Sequence, residues 1–288
     1  MPRAKSNGLE LEYDTFGKAE DPPILLIMGL GAQMTMWDES FCTQLAGEGF
    51  HVIRYDNRDV GLSTRTEGAD PDVMAAMGGD ASSATYRVDD MADDGAGLLD
   101  ALGIPAAHIV GASMGGMIAQ AFAIRHPEKT LSLCSIMSTT GDRTVGQPNP
   151  EAIGALLAPP ATTRDEAIAT SLASGRILSP FHFDEQKTAD RAGKAFDRAF
   201  YPKGMARQLV AITSSPDRTE ALGDVTAPTL VIHGAADPLV TVSGGEATAK
   251  AVPGADLLIL EEMGHDLPEP LVPQIVAAIA ANARKAEK

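Results

Sequence analysis

The feature that most constrains the fold is a regular alternation of short apolar runs with amphipathic segments. The runs are continuous in their apolar character, which is typical of strands in a parallel sheet that is covered on both faces. A further segment, residues 8–16, is predicted to add an antiparallel edge hairpin. Six runs are predicted as strands, at residues 24–28, 52–55, 108–112, 131–137, 229–233 and 257–260.

Helices are predicted between these strands. Apolar residues recur at helical spacing from Trp37 to Leu45, and residues 114–125 are apolar almost all round, which predicts a helix in the middle of the molecule. The same spacing recurs from 88 to 102 and from 271 to 279. This alternation predicts an α/β fold with a doubly wound, mostly parallel sheet, whose ligands bind at the carboxyl ends of the strands.

Two stretches interrupt the alternation. Residues 65–84 are rich in Gly, Asp and Ala and are predicted to form a mobile loop. Residues 142–224 contain helix-forming sequence but few strand patterns, and they are far longer than the usual connection of about 2 to 6 residues. We therefore predict a core domain of residues 1–141 and 225–288, with residues 142–224 inserted as a helical cap.

The charge of the chain excludes some classes of partner. The 288 residues include 23 Lys and Arg against 39 Asp and Glu, a net charge of −16. Such a charge repels phosphate backbones and anionic lipids, so neither nucleic-acid binding nor membrane binding is expected. The longest apolar stretch, residues 24–32, is interrupted by Gly29 and Gly31. It is shorter than the roughly 20 residues that span a bilayer.

The cellular location expected from the sequence is the cytoplasm. Arg3 and Lys5 are not followed by the apolar region of a secretory signal. The two cysteines, Cys42 and Cys134, lack metal-binding spacing and lie in apolar segments, where reduced, buried thiols are expected.

A candidate nucleophile follows the predicted strand 108–112. Ser113 stands in the sequence GASMG, a G-x-S-x-G pattern between a strand and a helix. The glycines are needed because the serine would sit on a sharp, strained turn, where flanking side chains would collide with the strand and the helix. The alternative is a structural serine in a glycine-rich turn.

A serine hydroxyl needs a base, and six histidines are available. Only His265 lies in a loop just past a predicted strand, the strand 257–260. It is therefore the candidate base. The others are expected to pack within strands, to end a helix or to lie in the inserted segment: His51, His108, His126, His182 and His233.

The candidate acid that would orient this histidine is Asp237, which follows the predicted strand 229–233. Ser113, Asp237 and His265 then occur in the chain order that is expected for a serine nucleophile on this kind of sheet. Asp142, beyond the strand 131–137, is the alternative acid.

Two main-chain N–H groups are the candidates for an oxyanion hole, which stabilises the negative charge of the tetrahedral intermediate. The N–H of Met114 lies at the start of the helix after the nucleophile. The loop after the strand 24–28 supplies the second donor, which we expect to be Leu30.

With these residues assembled, the chain resembles the α/β-hydrolase superfamily of serine hydrolases over nearly its full length outside the inserted segment. Residues 55–63, YDNRDVGLS, are similar to the D-x-R-x-x-G-x-S segment of these enzymes. The resemblance implies that Asp56 and Arg58 tie loops together near the site and take no part in the chemistry.

A subgroup resemblance rests on IMG at 27–29, RYDNRD at 54–59 and GASMGG at 111–116. These segments look most like carboxylesterases similar to aclacinomycin methylesterase. Many relatives carry His where Met28 stands, a departure that leaves main-chain donation in place and removes a polar group near the oxyanion loop.

The expected activity is hydrolysis of a carboxylic ester of a neutral, fairly apolar small molecule through an acyl-enzyme intermediate. Serine enzymes of the same superfamily cleave lactones, amides or carbon–carbon bonds or make peracids, and these reactions remain alternatives. A different class of alternative is a small-molecule-binding protein that keeps the fold without turnover.

No cofactor and no metal is expected, because the sequence shows no metal-ligand cluster, nucleotide-binding loop or flavin fingerprint. The expected partner is a small-molecule ester substrate. Nothing in the sequence indicates an oligomeric state.

Overall fold

The computed structural model describes residues 2–286, and within them the chain forms one eight-stranded sheet with helices on both faces. The strand order is β1-β2-β4-β3-β5-β6-β7-β8. The strands are β1 (Arg3–Ser6), β2 (Leu9–Phe16), β3 (Pro23–Ile27), β4 (His51–Tyr55), β5 (Ala107–Ala112), β6 (Thr130–Ile136), β7 (Thr229–Gly234) and β8 (Asp256–Leu260).

The helices alternate with these strands as the sequence predicts, and short 3₁₀ turns occur at Met34–Met36, Pro127–Lys129, Ala221–Asp224 and Glu269–Leu271. The α-helices are α1 (Glu39–Gly47), α2 (Val73–Met77), α3 (Val88–Ala101), α4 (Met114–Arg125), α5 (Pro150–Leu156), α6 (Arg164–Leu178), α7 (Glu185–Arg198), α8 (Pro202–Ser214), α9 (Ser243–Ala251) and α10 (Val272–Ala283).

The predicted α/β fold with a mostly parallel sheet is confirmed. All six predicted strands are present, each within one residue of the predicted bounds, and β3 to β8 pair in parallel. The insertion between β6 and β7 holds α5, α6, α7 and α8.

The edge hairpin begins earlier in the chain than predicted. Its first strand is β1, and β2 pairs antiparallel with both β1 and β4. Asn7 and Gly8 form the turn, with φ of 48° and 78°. Two consecutive positive φ angles are typical of the two-residue hairpin turn that Asn-Gly favours. The Asn-Gly pair could therefore have indicated that the first strand precedes residue 7, outside the predicted bounds of 8–16.

Two further predictions were imprecise. The region 65–84 is not entirely loop, because it contains the short helix α2, at whose start the side chain of Asp72 accepts a hydrogen bond from the N–H of Ala75 at 2.9 Å. Trp37 lies outside α1, because Asp38 is the residue that caps the helix.

The core consists of two apolar layers, one on each face of the sheet. α3 and α4 pack on one face, and α1 and α10 pack on the other. α4 is buried almost all round, which places its first turn at the centre of the molecule. Among residues 2–286, none of the helices has both the length and the hydropathy that crossing a bilayer would need.

His108 on β5 makes the stability of the protein sensitive to acid. Its ring is buried against Phe50, and Nδ1 lies 2.9 Å from Oγ of Ser132. Nε2 has no hydrogen-bond partner among the described residues. Burial lowers the pKa of His108 to about 4, because the charged ring would lose its hydration.

We therefore expect a His108→Leu variant to resist acid better than the wild type. As the pH falls below about 6.5, His108 of the unfolded chain becomes protonated, whereas His108 of the folded chain is protonated only near pH 4. The free energy of unfolding therefore falls over this range. Between pH 7 and pH 5 the wild type should lose about 2 kcal/mol more than the variant, by urea denaturation. Equal losses would contradict this expectation.

Candidate active site

Ser113 stands on a strained turn between β5 and α4. Its φ of +57° and ψ of −120° are unusual for a residue with a side chain. The turn is held by main-chain and side-chain bonds: the N–H of Ser113 donates to the carbonyl of Ile136 at 2.9 Å, and Oγ of Ser138 donates to the carbonyl of Ser113 at 2.8 Å. Because β5 ends at Ala112, this turn places the Ser113 hydroxyl at the carboxyl edge of the sheet.

The two glycines of the G-x-S-x-G pattern are required by close main-chain approach. A Cβ atom on Gly111 would lie 1.9 Å from the carbonyl oxygen of Gly115. A Cβ atom on Gly115 would lie 2.1 Å from the carbonyl oxygen of Ile27 on β3. Both distances are far below van der Waals contact, and the obstacles are main-chain atoms that cannot rotate away.

A Gly111→Ala variant should therefore lose about 3 kcal/mol or more of unfolding free energy, because the strand and the helix must separate to admit one methyl group. Gly154→Ala is a matched control, since a Cβ there meets nothing within 4 Å and the residue lies inside α5. That variant should gain up to about 1 kcal/mol. Similar urea midpoints for the two variants would show that the turn tolerates a side chain.

His265 follows β8 and reaches the serine. Its Nε2 lies 2.8 Å from Oγ of Ser113, and its main-chain N–H donates to the carbonyl of Leu178 at 2.7 Å. Leu178 is the last residue of α6, so the inserted segment holds the loop that carries this histidine.

Asp237 follows β7 and binds the other side of the imidazole. Its Oδ2 lies 2.7 Å from Nδ1 of His265, and its Oδ1 accepts hydrogen bonds from the N–H groups of Leu239 and Val240 at 2.9 Å each. The carboxylate is buried. A buried carboxylate on Nδ1 favours the tautomer with the proton on Nδ1, which leaves the lone pair of Nε2 facing the serine.

A second histidine packs beside this carboxylate. Nε2 of His233 donates to the carbonyl of Val240 at 2.7 Å and lies 3.5 Å from Oδ2 of Asp237. Burial lowers the pKa of His233, so the ring is neutral near pH 7 and adds no positive charge next to Asp237.

The alternative acid, Asp142, lies outside this group. Its Oδ1 accepts hydrogen bonds from the N–H and Oγ of Thr144 at 2.8 Å, and these bonds lower its pKa. The structure thus brings Ser113, His265 and Asp237 into one chain of hydrogen bonds, which we call the triad, and leaves Asp142 in an exposed local turn.

The other five histidines occupy the places that the sequence predicted for them.

The two predicted oxyanion donors belong to the residue after Ser113 and to a loop that packs against Ser113. The N–H of Met114 is the first of α4, and no acceptor within residues 2–286 binds it or the N–H of Leu30. The loop that carries Leu30 touches the serine, because a Cβ on Gly29 would lie 3.2 Å from Cβ of Ser113. Both N–H groups are therefore free to bind a negatively charged oxygen.

The D-x-R-x-x-G-x-S segment has the structural role that the resemblance implies. Asp56 is buried, and its carboxylate accepts hydrogen bonds from the N–H groups of Met34 and Leu62 at 2.8 and 2.9 Å. Arg58 forms a buried ion pair with Asp94, with Nε and Oδ2 2.6 Å apart. Asp56 thus joins two loops, and Arg58 joins its loop to α3.

Sequence reasoning missed the side chains that reach this site from the inserted segment. Gln208 of α8 binds the N–H of Gly31 at 2.8 Å, and Arg198 of α7 binds Asp56 at 2.7 Å. No local pattern identifies them, since their partners lie more than a hundred residues away in the chain. Among the described residues, no three His, Cys, Asp or Glu side chains converge in a way that could bind a metal ion.

The fold and the site together define an α/β hydrolase. A family model described as the alpha/beta hydrolase fold matches residues 22–269, and the chain therefore belongs to this family, as its resemblance predicted.

The chain is also similar to individual proteins over most of its length. The chain is 30% identical over 297 aligned residues to the rhodomycin D methylesterase DauP of Streptomyces sp. strain C5, with 94% of this chain and 93% of that protein covered. It is 29% identical to the 3-oxoadipate enol-lactonase 2 of Acinetobacter baylyi, with 87% and 85% covered. Among solved structures, a hydrolase from Pseudomonas aeruginosa PA01 is similar with a TM-score of 0.71 and 26% identity, over 98% of this chain and 96% of that one.

Proposed function

We propose that this protein is a carboxylesterase that uses Ser113 as nucleophile, His265 as general base and acid, and Asp237 as the group that orients His265. The observation that carries the proposal is the triad, with Ser113 Oγ 2.8 Å from His265 Nε2 and His265 Nδ1 2.7 Å from Asp237 Oδ2. A relative that is named a methylesterase and covers nearly the whole chain supports ester cleavage.

The first half of the reaction forms the acyl-enzyme. Oγ of Ser113 attacks the ester carbonyl carbon while its proton moves to Nε2 of His265. The carbonyl oxygen becomes an oxyanion, which the N–H groups of Leu30 and Met114 stabilise. Collapse of this intermediate breaks the carbon–oxygen bond, and the leaving alkoxide takes the proton from His265 and departs as the alcohol.

The second half releases the acid. Water gives a proton to Nε2 of His265 and attacks the acyl carbon, and the oxyanion forms again at the same two N–H groups. Its collapse breaks the bond to Ser113, whose oxygen recovers the proton from His265. The carboxylate of Asp237 orients His265 and stabilises the transient imidazolium.

We propose that residues 142–224 form a cap over the strand ends, which would select a neutral, fairly apolar substrate. Three contacts support this role: the carbonyl of Leu178 binds the His265 loop, Gln208 binds Gly31, and the side chain of Met205 packs on Gly31, where a Cβ would lie 3.0 Å from its Cγ. An apolar thioether at this point favours an apolar group next to the reacting carbonyl.

The partner we propose is a small-molecule ester and not a nucleic acid, because the net charge of −16 repels a phosphate backbone. A cytoplasmic location is supported by Cys42 and Cys134, which are free, buried thiols. Burial raises the pKa of Cys42 to about 12, so this thiol is unreactive.

The test is a hydrolysis screen with the purified protein. It compares p-nitrophenyl esters of two to ten carbons, the methyl ester of an aromatic acid, a δ-lactone and a p-nitroanilide. We expect turnover of the esters, with higher kcat/KM for apolar acyl groups, and weak or no turnover of the anilide. Turnover of the lactone alone would move the assignment to a lactonase, and no turnover of any substrate by folded protein would favour a binding protein.

A further inference from the structure

The side chain of Gln208 is fully buried between two loops that flank the triad. Its Oε1 accepts a hydrogen bond from the N–H of Gly31 at 2.8 Å, and its Nε2 donates to the carbonyl of Arg58 at 2.7 Å. Because one partner can only donate and the other can only accept, the amide has one orientation. α8 itself is fixed against the second loop, since a Cβ on Gly204 would lie 1.8 Å from the carbonyl oxygen of Asp59.

The partner of Gln208 belongs to a tight turn over residues 29–32. The N–H of Ala32 donates to the carbonyl of Gly29 at 3.3 Å, and Gly31 has a φ of +65° while Leu30 does not have a positive φ. This is the pattern of a type II turn, which differs from type I by rotation of its central peptide through about 180°. The N–H of that central peptide is the one that Gln208 binds.

The sequence of the turn does not select between the two forms. Type II requires a positive φ at Gly31 and type I a negative one, and glycine adopts either sign about equally well. The hydrogen bond from Gln208 is available only to the type II orientation that the structure shows. Gln208 therefore fixes the central peptide of the turn, which adjoins the peptide that carries the N–H of Leu30.

The peptide that precedes this central one carries the N–H of Leu30. That N–H shares a trans peptide with the carbonyl of Gly29, so the two groups point in opposite directions. With the carbonyl bound to Ala32, the N–H of Leu30 is directed out of the turn. Gly29 packs on the nucleophile, where its Cβ would lie 3.7 Å from Oγ of Ser113.

We propose that Gln208 is a positioning residue for the oxyanion hole. By binding both Gly31 and the carbonyl of Arg58 it anchors the turn to the neighbouring loop, and this anchor holds the adjoining peptide, with the N–H of Leu30, in a fixed position relative to Ser113. The inference rests on the proposed function, because an oxyanion forms only if Ser113 attacks a carbonyl group. The Gln208 side chain does not touch the substrate and acts through the main chain of residues 29–32.

The first test is a Gln208→Met variant, in which a side chain of similar length has no acceptor for Gly31. On a p-nitrophenyl ester, kcat should fall by about 10- to 100-fold while KM changes by less than about threefold, because the donor acts mainly in the transition state. The matched control is Gln120→Met. Gln120 is equally buried, but its amide binds Ser135 and Arg218, and its loss should leave kcat within about twofold of the wild type.

A second readout separates positioning from general destabilisation. A trifluoromethyl ketone forms a tetrahedral adduct with an active serine, whereas the matching methyl ketone binds without forming it. Gln208→Met should raise the Kd of the trifluoromethyl ketone by about the same factor by which it lowers kcat. The Kd of the methyl ketone should stay nearly unchanged. Gln208→Glu keeps an acceptor for Gly31 but loses the donor to the carbonyl of Arg58, so it should recover only part of the lost kcat. All variants are compared at thermal stabilities matched to the control.

The outcomes distinguish this inference from the proposed function. Wild-type kcat in Gln208→Met, or equal weakening of both ketones, would overturn the positioning role while leaving the esterase proposal intact. Absence of wild-type turnover would overturn both. If Gln208→Met does not fold, Gln208→Asn provides the comparison, because its amide is one methylene too short to reach Gly31, and wild-type kcat in that variant would equally overturn the role.

Discussion

Replacing Ser113 by Ala, or His265 by Ala, should lower kcat for ester hydrolysis by at least about 10⁴-fold. The two side chains act as a unit, so the loss of either leaves only the contributions of substrate binding and the oxyanion donors. In the structure the hydroxyl of Ser113 and Nε2 of His265 lie 2.8 Å apart, at the distance needed for proton transfer.

The folded state should survive both substitutions, because the removed atoms bind mainly each other and Asp237. Circular dichroism and thermal unfolding would check this point. The matched controls are Ser82→Ala in an exposed loop and His126→Ala at the end of α4, both of which should keep kcat within about twofold. Retention of most of the turnover in either triad variant would show that another residue is the nucleophile or the base.

Replacing Asp237 by Asn should lower kcat by about 10⁴-fold with little change in fold. The asparagine oxygen can still accept from the N–H groups of Leu239 and Val240, so its NH₂ group faces Nδ1 of His265. The imidazole must then accept at Nδ1 and carry its proton on Nε2, which removes the lone pair that receives the proton of Ser113.

The control for this prediction is Asp142→Asn, the same chemical change at the alternative acid. Among the described residues the Asp142 carboxylate binds only Thr144, and its main-chain N–H donates to Oγ1 of Thr140, so kcat should stay within about twofold of the wild type. A larger loss from Asp142→Asn than from Asp237→Asn would transfer the acid role to Asp142.

The strands and the positions of the three candidate residues could be predicted because each depends on local sequence. A run such as 108–112 is apolar on both faces of the sheet, and a glycine on each side of Ser113 signals a turn too tight for side chains. His265 and Asp237 were identified by what precedes them, since residues just after parallel strands meet at one edge of the sheet.

The contacts from the inserted segment could not be predicted from local sequence. Gln208 binds Gly31, which lies 177 residues earlier in the chain. The helical pattern of α8 does not indicate which residue the Gln208 side chain binds. α2 was missed because a helix of five residues is too short for a periodic pattern, although Asp72 is a capping residue that could have indicated its start.

Labelling with a fluorophosphonate, whose phosphorus is attacked by an activated serine with loss of fluoride, tests directly whether Ser113 is a nucleophile activated by His265. Tryptic peptide 88–125 contains Ser113 and no other hydroxyl side chain, so mass spectrometry assigns the modified residue without ambiguity. We expect one adduct per chain on this peptide, no adduct in Ser113→Ala and greatly slowed labelling in His265→Ala. A folded wild-type protein that stays unlabelled, or that carries the adduct on another peptide, would contradict this role of Ser113.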